Sequence, residues 1–210
     1  MPTLLARTLA SIAVLVCAAA LSAAPAPAAA AEPDLQVKVQ MTGDEIRAQV
    51  SMFVRAPRER VWEVITDYER APEFTRDLLM SRIISRSGDT VRLLQKSQLR
   101  YGPFTVPLET VKEIRMVAPL RTESRMVSGS MKKYEATTEL VPESGGTRIL
   151  VRSLAVSDSV LTAMAGESYV KRETEDGFRQ LRTEIMRRER VAAAQSSVRV
   201  SGRSDAAAGE

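Results

Sequence analysis

Histidine is absent from this chain, and its one cysteine, Cys17, falls in a leader-like stretch over residues 1–31. Once that stretch is removed, disulfides, thiol catalysis, Cys/His zinc sites and a Ser-His-Asp triad are all excluded. Aromatic residues are also scarce, at 4% of the chain with a single tryptophan. Basic and acidic residues are interleaved rather than blocked. Nucleic acid is therefore not expected as a partner, because its recognition needs a basic face and stacking surfaces. After residue 31 there is no second long apolar run, so nothing further along is long enough to span a membrane as a helix.

What is present begins with the leader. Arg7 is followed by an uncharged stretch from Thr8 to Ala31. Its strongly apolar part, Leu9 to Leu21, has the length of a signal-peptide core and is too short to cross a bilayer. Cleavage after Ala30 or Ala31 fits the small-residue rule. Cys17 raises the question of lipid attachment, but Val16 before it is bulkier than the small residue that processing wants. The expectation is a soluble exported protein, periplasmic or secreted. Loss of residues 1–31 removes Arg7, leaving 29 of the 30 basic residues against 26 acidic ones, a net charge of +3. Residues 32–190 are long enough for one well-cored domain. The polar, Ala/Ser/Gly-rich segment 191–210 is expected to be a disordered tail.

Within the domain the hydrophobic pattern changes period twice. Leu35, Val37, Val39 and Met41 alternate with polar residues, and after the turn TGDE so do Ile46, Ala48, Val50, Met52 and Val54. Period-two burial predicts two half-exposed antiparallel strands. Pro57 then opens a helix carrying Val61, Trp62, Val64, Ile65 and Tyr68, and Pro72 opens a second short helix through Phe74 to about Leu78. Strand-like segments follow at 80–86, 90–99, 104–117, 121–128, 133–141 and 148–156, punctuated by turn residues. Pro107 inside one of them suggests an edge, bulge or bend. A long helix closes the domain, with Leu161, Met164, Phe178, Leu181 and Ile185 on one face. The expected fold is α+β: a curved antiparallel sheet wrapped around a long C-terminal helix, with two short helices after the first strands plugging one end.

The stretch VRAPRERVWEVITDYERAPEF and the later KKYEATTELVPESGGTRILV carry a resemblance. The first is similar to the opening motif of the START-like (SRPBCC, helix-grip) superfamily, in its polyketide cyclase/dehydrase and lipid-transport branch. The second resembles that branch's GGT strand pair, with Ala136 and Thr138 where Gly and Trp are usual. The resemblance covers about residues 46–190. It implies a cavity between sheet and helix for an apolar or amphipathic molecule, in proteins that are either cyclases or carriers.

Candidate cavity-lining residues follow from alternation and from that implied architecture. Phe74 lies on the short helix that forms the lid region in the family. Phe104, Met116, Met126, Tyr134 and Thr138 lie on the sheet, and Tyr169 and Phe178 on the terminal helix. Any of these can equally be packing. Midway along that helix the apolar stripe weakens, with Glu167, Ser168, Lys171, Thr174 and Glu175 near the inward face. Either the helix is exposed or kinked around Gly166 and Gly177, or it offers polar groups to a ligand. Arg121, Glu123 and Arg125 read as a solvated outer face, and the RRER segment as a favourable helix terminus.

The resulting expectation is an exported binding domain for a hydrophobic or lipid-like small molecule, a carrier or sensor with transient membrane contact. No catalytic residue, cofactor or metal is assigned. The alternatives are a cyclase/dehydrase-like enzyme working without His or Cys, and an envelope protein-interaction module presenting Phe53.

Overall fold

The computed structural model describes residues 34–157 and 160–207, and the leader read over 1–31 lies outside them. Eight strands form one antiparallel sheet: β1 (Leu35–Thr42), β2 (Glu45–Val54), β3 (Leu78–Ser87), β4 (Thr90–Tyr101), β5 (Phe104–Val117), β6 (Arg121–Gly129), β7 (Lys133–Glu143) and β8 (Gly146–Val156). Their order across the sheet is β1-β2-β8-β7-β6-β5-β4-β3. Each hairpin pairs sequential neighbours; the β2–β8 pairing alone joins strands distant in sequence. The expected strands are all present, with ends moved by no more than two residues.

Helix α1 (Arg58–Ile65) and a 3-10 helix (Tyr68–Glu73) lie between β2 and β3. Because β3 is the far edge of the sheet from β1, these two short helices carry the chain across the open side of the curve. The second helix differs from the sequence expectation. Pro72 lies inside it rather than at its start, and the chain is already in β3 by Leu78. A short 3-10 turn tolerates this because the missing N–H of proline forfeits one bond only.

Helix α2 (Val160–Ala207) packs over β1 and α1. It breaks at Gly166, where φ is 70° and ψ 167°, a conformation open essentially only to glycine. Gly177, the other expected site of a kink, is helical. The helix also continues to Ala207, through the segment expected to be disordered.

The apolar interior is in two parts. The larger cluster joins Val37, Val50, Met52, Val61, Val64, Leu140, Ile149 and Ile185 from both early strands, α1, β7, β8 and α2. The smaller joins Val91, Leu93 and Ile114 on β4 and β5, with Tyr68 and Met116 against it. Trp62 is half-buried against the larger cluster, as packing. The Thr147 hydroxyl donates to the Ala56 carbonyl at 2.9 Å in full burial, tying the corner between β2 and α1 to β8. Phe53 faces outward but is not bare, since the Arg148 guanidinium lies 5.6 Å from its ring centroid. Pro107 sits where β5 is paired to β4 alone, because β6 joins only from Thr110. There its missing donor removes no ladder bond on the β6 side.

Candidate functional site

Between the two apolar clusters the interior is not filled. A cavity of about 520 Å³ lies under the 3-10 helix and α2. Its floor is a row of small residues, Ala48, Ser153, Ala136 and Ser124, paired in register across β2, β8, β7 and β6. Larger side chains at these positions would close the space; their smallness is what leaves it open. The roof is Phe74, Ala71 and Thr75 from the lid segment with Phe178, Leu181 and Thr174 from α2.

Four of the sequence candidates, Phe74, Tyr134, Thr138 and Phe178, line this cavity. The other four do not. Phe104 is 59% exposed at the tip of the β4–β5 hairpin, beyond the point where β6 joins β5 at Thr110. Met116 lies further along β5, packed on the smaller cluster. Met126 pairs in register with Lys112 and is half-buried outside the wall. Tyr169 lines a separate, smaller cavity of about 340 Å³ with Ile46, Leu99, Leu108 and Met131. Its hydroxyl donates to the Arg100 carbonyl, so this phenol is spent on holding α2 to β4. Of the polar residues expected inward on α2, Thr174 lines the cavity, whereas Glu167, Ser168 and Lys171 are exposed.

Three ionisable side chains lie on the wall: Tyr134, a sequence candidate, and Lys112 and Tyr68, which sequence reading did not single out as site residues. Lys112 projects inward from β5, its Nζ donating to Gln95 Oε1 at 3.0 Å and lying 4.6 Å from the centroid of the Tyr134 ring. Gln95 in turn donates to the buried Ser81 hydroxyl at 3.2 Å. Burial lowers the Lys112 pKa to about 8. Burial also raises Tyr134, and raises Tyr68 to about 12, so both phenols keep their protons at neutral pH. No carboxylate lines this cavity among the described residues. A signal for Lys112 existed: it shares the inward alternation of Ile114 and Met116.

The lid segment is clamped to α2 by charge. Arg188 Nη1 donates to Asp67 at 2.7 Å and its Nε to Glu184 at 2.6 Å, while its guanidinium lies 5.8 Å from the Phe74 ring centroid. Glu184 also accepts from Arg187, and these bonds, led by that from Arg187, hold its pKa down at about 2 despite burial. The Arg76 amide donates to Gln180 Oε1 at 2.7 Å. Of the arginines read as a helix terminus, Arg188 is thus a mid-helix partner of the lid, and Arg187 holds the Glu184 carboxylate that Arg188 shares.

On the opposite face of the same strands lies a depression of about 650 Å³ bordered by Arg47, Arg115, Arg125, Arg152 and the carboxylates of Glu113, Glu123 and Glu135. Glu113 accepts from both Arg92 and Arg125 there. This is a cross-strand ion-pair surface in contact with solvent, where charge pairs contribute little. The walled apolar cavity is the better site.

Residues 54–182 match the family described as polyketide cyclase / dehydrase and lipid transport. No curated protein matches. Among solved structures, the STAR-related lipid transfer protein of Xanthomonas axonopodis is 11% identical, with 74% of this chain and 95% of that one covered at a TM-score of 0.62. A START superfamily protein of Mycobacterium smegmatis is 14% identical over 70% of this chain and 98% of that one, with a TM-score of 0.53. The Zhui aromatase/cyclase of a Streptomyces species is 12% identical, covering 69% and 95% with a TM-score of 0.57. At these identities the likeness is one of fold: a curved antiparallel sheet with a long C-terminal helix. With the sequence match spanning α1, the lid, every strand from β3 to β8 and the cavity-facing residues of α2, the chain belongs to the polyketide cyclase/dehydrase and lipid transport family.

Proposed function

We propose that this protein binds a hydrophobic or amphipathic small molecule in the cavity between sheet and α2, and acts as its carrier or sensor outside the cytoplasm. The observation that carries this reading is the unfilled cavity of about 520 Å³, walled largely by apolar side chains and roofed by a separate lid segment. Protein interiors are normally packed to near-crystalline density, so a void of this size between two core clusters calls for an occupant. Each methylene buried there contributes roughly 0.8 kcal/mol, and a ten-carbon chain about 8 kcal/mol gross. Immobilisation takes back about 4 kcal/mol or more, which leaves an affinity weak enough for exchange with a membrane. Export rests on the leader read over residues 1–31.

Native mass spectrometry of the protein purified from the envelope fraction of its own cells tests this. A stoichiometric hydrophobic adduct, identified in an organic extract of the same sample, is the expected result. Protein free of any adduct, under conditions where a known lipid carrier keeps its cargo, would count against the carrier reading.

A further inference from the structure

Among the described residues the cavity has one charged side chain on its wall, Lys112, and what surrounds it is unusual for an ammonium. Its hydrogen-bond acceptor among those residues is the neutral Gln95 amide oxygen, and the face of the Tyr134 ring lies beside it. Nearby carboxylates of β5 alternate to the outer face, where Glu109 pairs with Lys96 and Glu113 with Arg92 and Arg125. A lysine ammonium has three donors. One is used by Gln95, one side faces the ring, and the remaining direction has no acceptor among the described residues. An uncompensated ammonium in an apolar interior is unfavourable unless something anionic joins it.

We propose, resting on the ligand-binding reading above, that the molecule held in the cavity is an amphiphile with a carboxylate head, and that Lys112 binds that carboxylate. Gln95, fixed through its bond to Ser81, positions the ammonium, and the Tyr134 ring covers its other side. The apolar tail lies over the small-residue floor towards Phe74 and Phe178. A single ammonium matches a singly charged carboxylate. A phosphate monoester, with about two charges and three strong acceptor oxygens, would need further cations that the wall does not carry.

Displacement of a fluorescent hydrophobic probe from the purified mature protein tests this with three ligands of equal chain length: dodecanoate, dodecanol and dodecyl phosphate. The wild type is expected to prefer dodecanoate to dodecanol by roughly tenfold or more, the effect of one charged hydrogen bond. In Lys112→Met, and again in Lys112→Gln, the ratio is expected to fall to near one. Wild-type protein that binds acid and alcohol equally would overturn the head-group assignment while leaving the cavity reading in place. So would variants that keep the preference, or dodecyl phosphate binding tightest. Should none of the three displace the probe, the cavity reading itself fails. The wild-type comparison decides the matter even if both variants fold poorly.

Discussion

At the scale of single residues, burial sorts side chains that composition treats alike. Met52 is fully buried in the larger cluster, and Phe104 is 59% exposed at a hairpin tip. Met52→Ala is expected to cost about 2–5 kcal/mol in urea unfolding, the usual range for emptying a closed core site. Phe104→Ala should stay within about 0.5 kcal/mol of wild type. The two helix glycines make a sharper contrast. Gly177 is helical with open space where a Cβ would go, so Gly177→Ala is expected to stabilise the protein by about 1 kcal/mol. Gly166 has a positive φ in the break of α2, and Gly166→Ala is expected to destabilise by about 1–3 kcal/mol. Thermal or urea unfolding of the pair decides between them, and equal effects would mean that α2 does not break at Gly166. From sequence the two glycines were indistinguishable. Which one bends the helix depends on where α2 must leave the end of the sheet, and no local pattern encodes that.

At the scale of elements, the lid and α2 form one unit through Arg188. It joins Asp67 before the 3-10 helix, Glu184 on its own helix and the face of Phe74 over the cavity. The pKa of Glu184 is about 2, below the ordinary 4.5, because its ionised form is the one that Arg187 and Arg188 bind. A depressed carboxyl contributes stability that is present above its unfolded value and is lost as pH falls through the folded one. The urea midpoint of wild type relative to Glu184→Gln should therefore be flat above about pH 5 and shrink between 4.5 and 2. A difference that stays constant across that window would show that the clamp does not act through the Glu184 charge. The sequence pattern had assigned these arginines to a helix end. Their role became visible only with the early helices brought against residues more than a hundred positions later.

At the scale of the whole molecule, ligand and fold are linked. A molecule that binds the folded cavity and not the unfolded chain stabilises the protein by mass action, about 2.7 kcal/mol at a free concentration a hundredfold above its dissociation constant. Dodecanoate is expected to raise the melting temperature in a concentration-dependent way, with a smaller rise for Lys112→Met; no shift at saturation would contradict a site inside the fold. Export is checked separately. The intact mass of protein recovered from the envelope fraction should correspond to a chain beginning at Ala31 or Glu32. A full-length mass would mean that residues 1–31 are retained and would overturn the cleavage expectation.

Sequence by itself determined the order of elements, the strand limits to within two residues, and the inward parity of β1, β2, β5, β6 and β7. These follow from local periodicity and turn chemistry, which neighbouring residues carry among themselves. It also determined the family, through the motif from Val54 to Phe74, and it excluded histidine chemistry, with thiol chemistry excluded for a chain that has lost residues 1–31. Only the tertiary structure decided which inward residues meet a void. Phe104, Met116, Met126 and Tyr134 were equivalent by alternation, yet one is exposed, two are packed or half-buried off the wall, and one lines the cavity. The reason is geometric: a cavity exists where small residues from four strands fall in one row and α2 and the lid pass above them. Lys112 acquires its significance in the same way, from the carboxylates that the register turns to the other face of the sheet.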